Sequence, residues 1–137
     1  MKTPLERFLK YITIETTSSE ESTTSPSTAS QFDLARLLVD ELKELGLDDA
    51  HVDERCYVMA TLPTNVVGRD VPTIGLIAHL DTSCAASGAD VKAKVIEYEG
   101  GPIELDAGIV IPETDEMKTL VGKRLVVTDG TTLLGGD

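Results

Sequence analysis

An uncharged run of six residues, Thr-Ile-Gly-Leu-Ile-Ala at positions 73–78, constrains the fold of this 137-residue chain more than any other feature. A continuous apolar stretch of this length is typical of a strand that is buried on both faces. Such a strand needs helices to cover it, and a helical pattern precedes it at residues 30–45. A helix followed by a buried strand favours an α/β fold over a β-sandwich.

Two amphipathic helices are predicted upstream of this strand. The first covers residues 3–14, with Thr3 as N-cap and Glu6 at the spacing of a capping box. Its apolar stripe consists of Leu5, Phe8, Leu9 and Ile12. The second covers residues 30–45 and ends at Gly46, a natural helix stop. Its apolar stripe consists of Leu34, Leu37, Leu38, Leu42 and Leu45.

The remaining segments are shorter and more polar. Ten of the thirteen residues at positions 16–28 are Ser or Thr, which predicts a solvated loop, with an interdomain linker as the alternative. Strand-like patterns occur at residues 50–62, 94–98 and 105–111. Asp129 and Gly130 form a strong turn pair and predict a hairpin between residues 124–128 and 131–134. No internal repeat is present.

The charge balance excludes several classes of partner. Twenty-four Asp and Glu residues against 12 Lys and Arg residues give a net charge of −12. Nucleic acids and anionic membranes are bound by clustered cations, so neither is expected as a partner.

No apolar run approaches the roughly 18 residues of a spanning helix, and no secretory signal is evident. Two cysteines are too few for a disulfide framework, so we expect a cytoplasmic protein.

The residues directly after the apolar run are the best candidates for chemistry. Residues 79–82 read His-Leu-Asp-Thr, and ligands of α/β proteins bind beyond the carboxyl ends of strands. In an extended segment His79 and Asp81 point to the same side, where an imidazole could bind zinc and a carboxylate could orient it. The alternative is a hydrogen-bonded histidine at a strand end, followed by a loop-capping aspartate.

A second candidate is Asp137, which follows a Gly-Gly pair that allows close approach to a ligand. Taken alone, an aspartate in this position also suits a helix N-cap or a loop. A phosphate loop is not indicated, because the segment lacks the Lys-Ser/Thr pair of that motif.

Together these motifs resemble a known family. The motifs are residues 75–83, Gly-Leu-Ile-Ala-His-Leu-Asp-Thr-Ser, and residues 128–137, Thr-Asp-Gly-Thr-Thr-Leu-Leu-Gly-Gly-Asp. In this order, after a Leu-striped helix, they resemble the peptidase T family of tripeptide aminopeptidases. That family belongs to the dinuclear zinc exopeptidases related to carboxypeptidase G and aminoacylase. The resemblance covers essentially the whole chain.

The resemblance implies an α/β fold, the N-terminal part of the zinc-exopeptidase catalytic domain with a mixed sheet flanked by helices. It implies that residues 1–137 are an incomplete portion, lacking the lid or dimerisation domain and the C-terminal half. By the same resemblance His79 is a zinc ligand, Asp81 is a catalytic carboxylate that orients or polarises the site, and Asp137 bridges two zinc ions. The implied substrate is a tripeptide, and the implied full-length enzyme is a homodimer.

Two departures from the family pattern bear on substrate contacts. Gly136 stands where the family has Ala, and residues 84–86 replace a segment that often begins with Pro-Asp. Because this chain supplies only part of a two-zinc ligand set, we expect it alone to be inactive, to bind zinc weakly and to self-associate. The rival interpretations are a non-catalytic acidic binding module on the same fold and a related dizinc dipeptidase or amidohydrolase.

Overall fold

The computed structural model describes residues 2–132. Its helices and strands, in chain order, are α1 Pro4–Tyr11, α2 Gln31–Glu44, β1 His51–Val52, β2 Val58–Met59, β3 Lys94–Glu97, β4 Ile103–Glu104, β5 Val110–Ile111, α3 Asp115–Lys118 and β6 Arg124–Val127. Helices and small antiparallel strands are mixed along the chain, which is compatible with the predicted α/β class. None of the described helices is long and apolar enough to cross a membrane.

The two predicted helices are present. Helix α1 begins at the predicted cap but ends at Tyr11, three residues before the predicted limit, and α2 ends at the predicted glycine stop. The Thr3 hydroxyl accepts from the Glu6 backbone N–H at 3.2 Å, and the Glu6 carboxylate accepts from the Thr3 N–H at 2.7 Å, which completes the capping box. Helix α2 ends before Gly46, whose φ of +89° carries the backbone into the left-handed conformation of a helix terminus. Both helices are therefore specified locally.

The described strands form three separate two-stranded antiparallel sheets. In β1 and β2, His51 pairs with Met59 and Val52 with Val58. The longest pairing joins β3 to β6, from Lys94 opposite Val127 to Glu97 opposite Arg124. The sheet of β4 and β5 pairs Ile103 with Ile111 and Glu104 with Val110. The predicted strand at residues 105–111 is thus divided, with its first part forming the turn of a hairpin.

Buried apolar residues lie in both halves of the chain. One cluster consists of Tyr98, Ile103, Leu105 and Val127, with Ile96, Ile111, Met117 and Leu125 packed against it. In the first half, the buried apolar residues are Ile12, Leu34, Ala35, Val39, Ala50 and Cys56. Helix α2 contacts β1 and β2. The predicted face of α2 is only partly correct, because Leu45 is exposed while Ala35 and Val39 are buried.

The prediction of a buried strand at residues 73–78 is wrong for this structure. This segment has no regular secondary structure, and Ile74, Leu76 and Ile77 are 79%, 96% and 97% exposed. A strand persists only where its backbone groups pair with a neighbour. None of these six residues has a backbone hydrogen bond to another described residue. The mixed sheet expected around this strand is accordingly not formed by the described residues, in which the single parallel pairing is an isolated bridge between Thr17 and Thr82.

The structure tests only part of the predicted hairpin around Asp129 and Gly130. The strand Arg124–Val127 forms, but its partner is β3. The Asp129 carboxylate instead accepts from the backbone N–H and the hydroxyl of Thr131, at 2.9 and 2.6 Å. In the described part of the chain, residues 131 and 132 form bends rather than a strand. Residues 133 and 134 lie outside the described part of the chain.

Candidate functional site

The structure brings His79 and Asp81 together. The Nδ1 atom of His79 lies 2.8 Å from the backbone oxygen of Asp81 and 3.3 Å from its carboxylate Oδ1. Both neighbours can only accept, so Nδ1 carries the hydrogen and donates it. In the neutral ring the lone pair then belongs to Nε2. This is the ring orientation that metal-binding histidines adopt when a carboxylate or carbonyl fixes their tautomer.

The two side chains lie at the surface. The His79 side chain is 68% exposed and that of Asp81 is 43% exposed. An exposed pair of this kind contributes little to folding stability. The contact therefore orients the imidazole but adds little to the stability of the fold.

The residue after this pair is held by the Ser/Thr-rich segment. The Thr82 N–H donates to the Thr16 carbonyl at 3.1 Å, and the Ser18 N–H donates to the Thr82 carbonyl at 2.9 Å. The Ser18 hydroxyl adds a further hydrogen bond to the Thr82 carbonyl at 3.0 Å. Thr16 is only 2% exposed. The beginning of the predicted solvated loop thus fixes the end of the His-Leu-Asp-Thr segment.

A cavity of about 550 Å³ adjoins the same segment. Its lining residues come from α1, α2 and the residues around the candidate pair: Phe8, Tyr11, Ile12, Thr16, Leu34, Leu38, Ala78, His79, Leu80 and Asp81. The walls are mainly apolar, and the polar groups of His79 and Asp81 lie among them. A concave apolar surface with a few polar groups is the usual form of a small-molecule site.

The donor set fits part of a zinc site. An imidazole nitrogen is a good zinc ligand, and a carboxylate beside the other ring nitrogen is its usual supporting group. Among residues 2–132, no group of three or more His, Cys, Asp or Glu side chains is close enough to hold a metal ion. The described residues thus provide one candidate ligand with its orienting partner.

Asp137, the third predicted site residue, lies outside the described residues. The turn that leads toward it is described. Hydrogen bonds from Thr131, together with the Lys92 ammonium 3.4 Å away, hold the pKa of Asp129 below its usual range. Gly130 has a φ of +91°, and a Cβ there would lie 3.3 Å from side-chain atoms of Leu105, Ala107 and Ile109. A side chain at this turn would therefore be both strained and crowded.

Among residues 2–132, the other histidine and the two cysteines belong to no group that could hold a metal ion. His51 is exposed, and its Nδ1 lies 2.9 Å from the Asp49 carbonyl. Burial raises the pKa of the Cys56 thiol, with the Asp53 carboxylate adding to the shift, which opposes a nucleophilic role. Cys84 is exposed. A second cavity of about 390 Å³ is lined by Thr13, Asp90, Val91 and Lys92.

Sequence reasoning missed the supporting residues of the candidate site. Thr16 and Ser18 lie more than 60 positions from Thr82, and no spacing rule connects them. The sequence predicted several of the cavity-lining residues only as members of the apolar stripes of the two helices. The apolar character of Phe8, Leu34 and Leu38 was visible in the sequence, but their position beside His79 was not.

Comparison with known proteins gives a consistent result. The chain is 57% identical, over its whole length, to peptidase T of Alkaliphilus oremlandii. It is 53% identical over 97% of its length to peptidase T of Halothermothrix orenii, and 51% identical over its whole length to that of Desulfitobacterium hafniense. The chain belongs to the peptidase T family. No family model matches it.

The chain is shorter than its peptidase T relatives. It spans 35%, 34% and 34% of the three proteins named above. Identity above 50% along the chain supports the resemblance inferred from the motifs around His79 and Asp137.

Proposed function

We propose that this chain is the N-terminal third of a zinc-dependent aminopeptidase that releases the N-terminal residue of tripeptides. The observation that carries this proposal is the whole-chain similarity to peptidase T. The fold proposed for the complete protein is the zinc-exopeptidase catalytic domain, with a mixed sheet flanked by helices. We further propose a cytoplasmic homodimer that binds two zinc ions.

The roles proposed for the site residues are those that the family resemblance implies, and the contacts of His79 support them. His79 would hold one zinc ion, with its Nδ1 directed at the backbone oxygen and carboxylate of Asp81. Asp81 would orient the imidazole, because its backbone oxygen and carboxylate both face Nδ1. Asp137 would help to hold the two zinc ions, as the resemblance implies. A dinuclear zinc centre supplies an activated water and polarises the scissile carbonyl.

The hydrogen bonds at Thr82 support the position of this pair. Thr16 accepts a hydrogen bond from the Thr82 N–H, and the Ser18 N–H donates to the Thr82 carbonyl. Thr82 is the residue directly after Asp81. A loop fixed in this way limits the rotation of the Asp81 backbone, whose carbonyl accepts from His79. Metal-binding geometry depends on such support, since small displacements of a ligand reduce affinity.

A chimera tests the proposal. Residues 1–137 replace the corresponding segment of the Alkaliphilus oremlandii peptidase T, and the purified chimera is assayed with dipeptides, tripeptides and tetrapeptides. We expect zinc-dependent release of the N-terminal residue with a preference for tripeptides. His79→Ala should lower kcat/KM at least 100-fold, by loss of a metal ligand or its orientation. Asp81→Asn should lower it by about 10- to 100-fold.

The control is His51→Ala, which removes an exposed histidine with a similar Nδ1 contact to a backbone carbonyl. This variant should keep the activity of the unmodified chimera. A folded chimera that prefers dipeptides would favour a dizinc dipeptidase. A folded chimera with no hydrolysis would favour the acidic binding module.

A further inference from the structure

Hydrogen bonds join the two ends of the Ser/Thr-rich segment (residues 16–28). The Thr28 hydroxyl donates to the Thr17 carbonyl at 2.8 Å, and the Ser19 N–H donates to the Ser27 hydroxyl at 3.1 Å. A backbone that is held by side chains in this way has fewer accessible conformations than an open loop. The first residues of the segment therefore keep a defined position relative to the last ones.

Helix α2 anchors the joined ends. Gln31 is the first residue of α2 and is only 7% exposed. Its side-chain amide donates to the Ser27 hydroxyl at 3.1 Å, and the same hydroxyl accepts from the Ser19 N–H. A buried amide requires a hydrogen-bond partner, so this contact is costly to break. Ser27 thus connects the start of the segment to the helix.

The start of the segment also fixes the peptide unit between Asp81 and Thr82. The Thr82 N–H and the Asp81 carbonyl belong to one planar peptide unit and point in opposite directions. Because the Thr82 N–H donates to the Thr16 carbonyl at 3.1 Å, the direction of the Asp81 carbonyl is set as well. That carbonyl oxygen lies 2.8 Å from Nδ1 of His79. The imidazole is thus linked to the Ser/Thr-rich segment through a single peptide plane.

Ser18 holds the next peptide unit with two donors. Its backbone N–H and its hydroxyl both donate to the Thr82 carbonyl, at 2.9 and 3.0 Å, from a position 64 residues earlier in the chain. A carbonyl oxygen has two lone pairs, and Ser18 supplies a donor for each. Thr82 is therefore held at its N–H and at its carbonyl. The Ser18 hydroxyl is a side-chain part of this support, which a substitution can remove.

We propose that Ser18 is a positioning residue of the candidate site, which through Thr82 fixes the Asp81 carbonyl and keeps the hydrogen of the His79 ring on Nδ1. The lone pair then stays on Nε2, and the ring can bind a metal ion through that nitrogen. The His79 side chain is 68% exposed, so packing does little to restrain the ring. The use of this arrangement in zinc binding rests on the proposed function, whereas its effect on the imidazole does not.

NMR of the chain labelled with ¹⁵N-histidine tests the role of Ser18 without metal or substrate. The spectra are recorded at about pH 8.5, above the ordinary histidine pKa of about 6.5, where the ring-nitrogen shifts show which nitrogen carries the hydrogen. We expect the Nδ1–H form to predominate at His79. Ser18→Ala should raise the ratio of the Nε2–H to the Nδ1–H form about 2- to 5-fold, by loss of one neutral hydrogen bond. Ser18→Thr keeps a hydroxyl and should retain the original ratio.

Two controls separate this effect from a general change of the fold. Ser22→Ala is the matched variant, because Ser22 lies in the same segment and its hydroxyl contacts Thr24. His51 is the internal reference, since its Nδ1 lies 2.9 Å from a different backbone carbonyl. Neither the Ser22→Ala variant nor the His51 signals should show a change of tautomer.

A second variant covers the case in which Ser18→Ala does not fold. Unfolding would change the signals of both histidines at once, and Ser27→Ala then takes its place. Ser27→Ala removes the contact of the segment with α2 and leaves the Ser18 hydroxyl intact. It should change the tautomer ratio of His79 in the same direction as Ser18→Ala.

The chimera described above measures the consequence for metal binding. Ser18→Ala should weaken its zinc affinity about 2- to 5-fold, measured by competition with a chelator, because the imidazole is held less well. Ser18→Thr and Ser22→Ala should keep the affinity of the unmodified chimera.

Three results would overturn the proposal. These are predominance of the Nε2–H form at His79 in the unmodified chain, an unchanged tautomer ratio in the folded Ser18→Ala or Ser27→Ala variant, and an equal change in Ser22→Ala. A chimera that binds no zinc, with tautomers that respond as expected, would instead overturn the proposed function and support the role of Ser18 at His79.

Discussion

The Tyr11 hydroxyl on α1 donates a hydrogen bond to the Glu41 carboxylate on α2, whose side chain is only 3% exposed. Lys2 and Arg7 lie 3.1 and 3.3 Å from the same carboxylate, and Lys10 lies 3.9 Å from it. Four groups of the N-terminal segment thus converge on one buried acid. A buried charge requires such partners, and here they join the two helices that contribute Phe8, Tyr11, Leu34 and Leu38 to the cavity wall.

Replacing this acid should weaken the packing of α1 on α2. Glu41→Gln leaves the positively charged groups without their common partner, and we expect a loss of about 1–3 kcal/mol in the free energy of unfolding. Urea unfolding of the purified chain measures it. Glu44→Gln, at an exposed position of the same helix, is the control and should change stability by less than about 0.5 kcal/mol.

The same acid predicts how stability depends on pH. The hydrogen bond from Tyr11, followed by that from Lys2, lowers the pKa of Glu41 below its ordinary value of 4.5, against the opposing effect of burial. A carboxyl whose pKa is lower in the folded chain stabilises the fold above its unfolded pKa, and this stability is lost as the pH falls through the folded pKa. The stability difference between the chain and Glu41→Gln should therefore shrink from pH 6 to pH 3. A difference that stays constant over this interval would contradict the linkage.

The turn at Gly130 gives a second prediction, with a matched glycine as its control. Gly130 and Gly108 both have positive φ values, +91° and +76°, but only Gly130 has side-chain atoms 3.3 Å from the position of an added Cβ. We expect Gly108→Ala to cost about 1 kcal/mol for the backbone conformation alone. Gly130→Ala should cost about 2–3 kcal/mol, because crowding is added. Thermal unfolding of the two variants measures both losses of stability. Equal losses would show that crowding of the added Cβ at position 130 contributes nothing.

Tyr98 is expected to stabilise the loop between β3 and β4. Its hydroxyl donates to the Gly101 carbonyl at 2.7 Å and lies 3.1 Å from the Glu113 carboxylate. The same carboxylate accepts a hydrogen bond from the Gly101 N–H. Tyr98→Phe should lower the Tm by about 4 °C. Tyr57→Phe, at a tyrosine that is 57% exposed, should leave the Tm almost unchanged. Equal shifts would mean that the hydroxyl of Tyr98 contributes nothing specific.

Zinc binding by the chain alone should be weak. A zinc ion takes about four ligands, and the site residues proposed in this chain are His79 and Asp137, with Asp81 in support. Calorimetric titration with zinc chloride should therefore give an affinity orders of magnitude below that of a four-ligand site, and tripeptides should not be hydrolysed. His79→Ala should reduce the residual binding more than His51→Ala does. Tight binding of two zinc ions, or complete tripeptide turnover, would contradict this prediction.

Local features of the sequence predicted the helices well. The capping box at Thr3 and the glycine after α2 act over a few residues, so their effect could be inferred without knowing the rest of the fold. The sequence analysis did not single out Glu41, although it lies seven residues after Leu34 on the face that packs inward. A charge at such a position indicates buried partners, but the sequence did not show that Tyr11 and the basic residues of α1 would supply them.

Strand pairing was predicted less well, because it depends on residues far apart in the chain. The sequence indicated strands at residues 94–98 and 124–128, but their mutual pairing across thirty positions followed from packing around Tyr98 and Val127. The apolar run had the composition of a buried strand and found no partner among the described residues.

For this protein, the sequence alone determined the two helices with their caps, the acidic charge, the motifs at His79 and Asp137 and the resemblance to peptidase T. These depend on local chemistry or on residue identity. The tertiary structure decided that Nδ1 of His79 faces Asp81, that Thr16 and Ser18 hold Thr82, and that Ile74, Leu76 and Ile77 remain exposed. Those outcomes depend on which distant backbone groups pair, and pairing is governed by three-dimensional packing rather than by spacing along the chain.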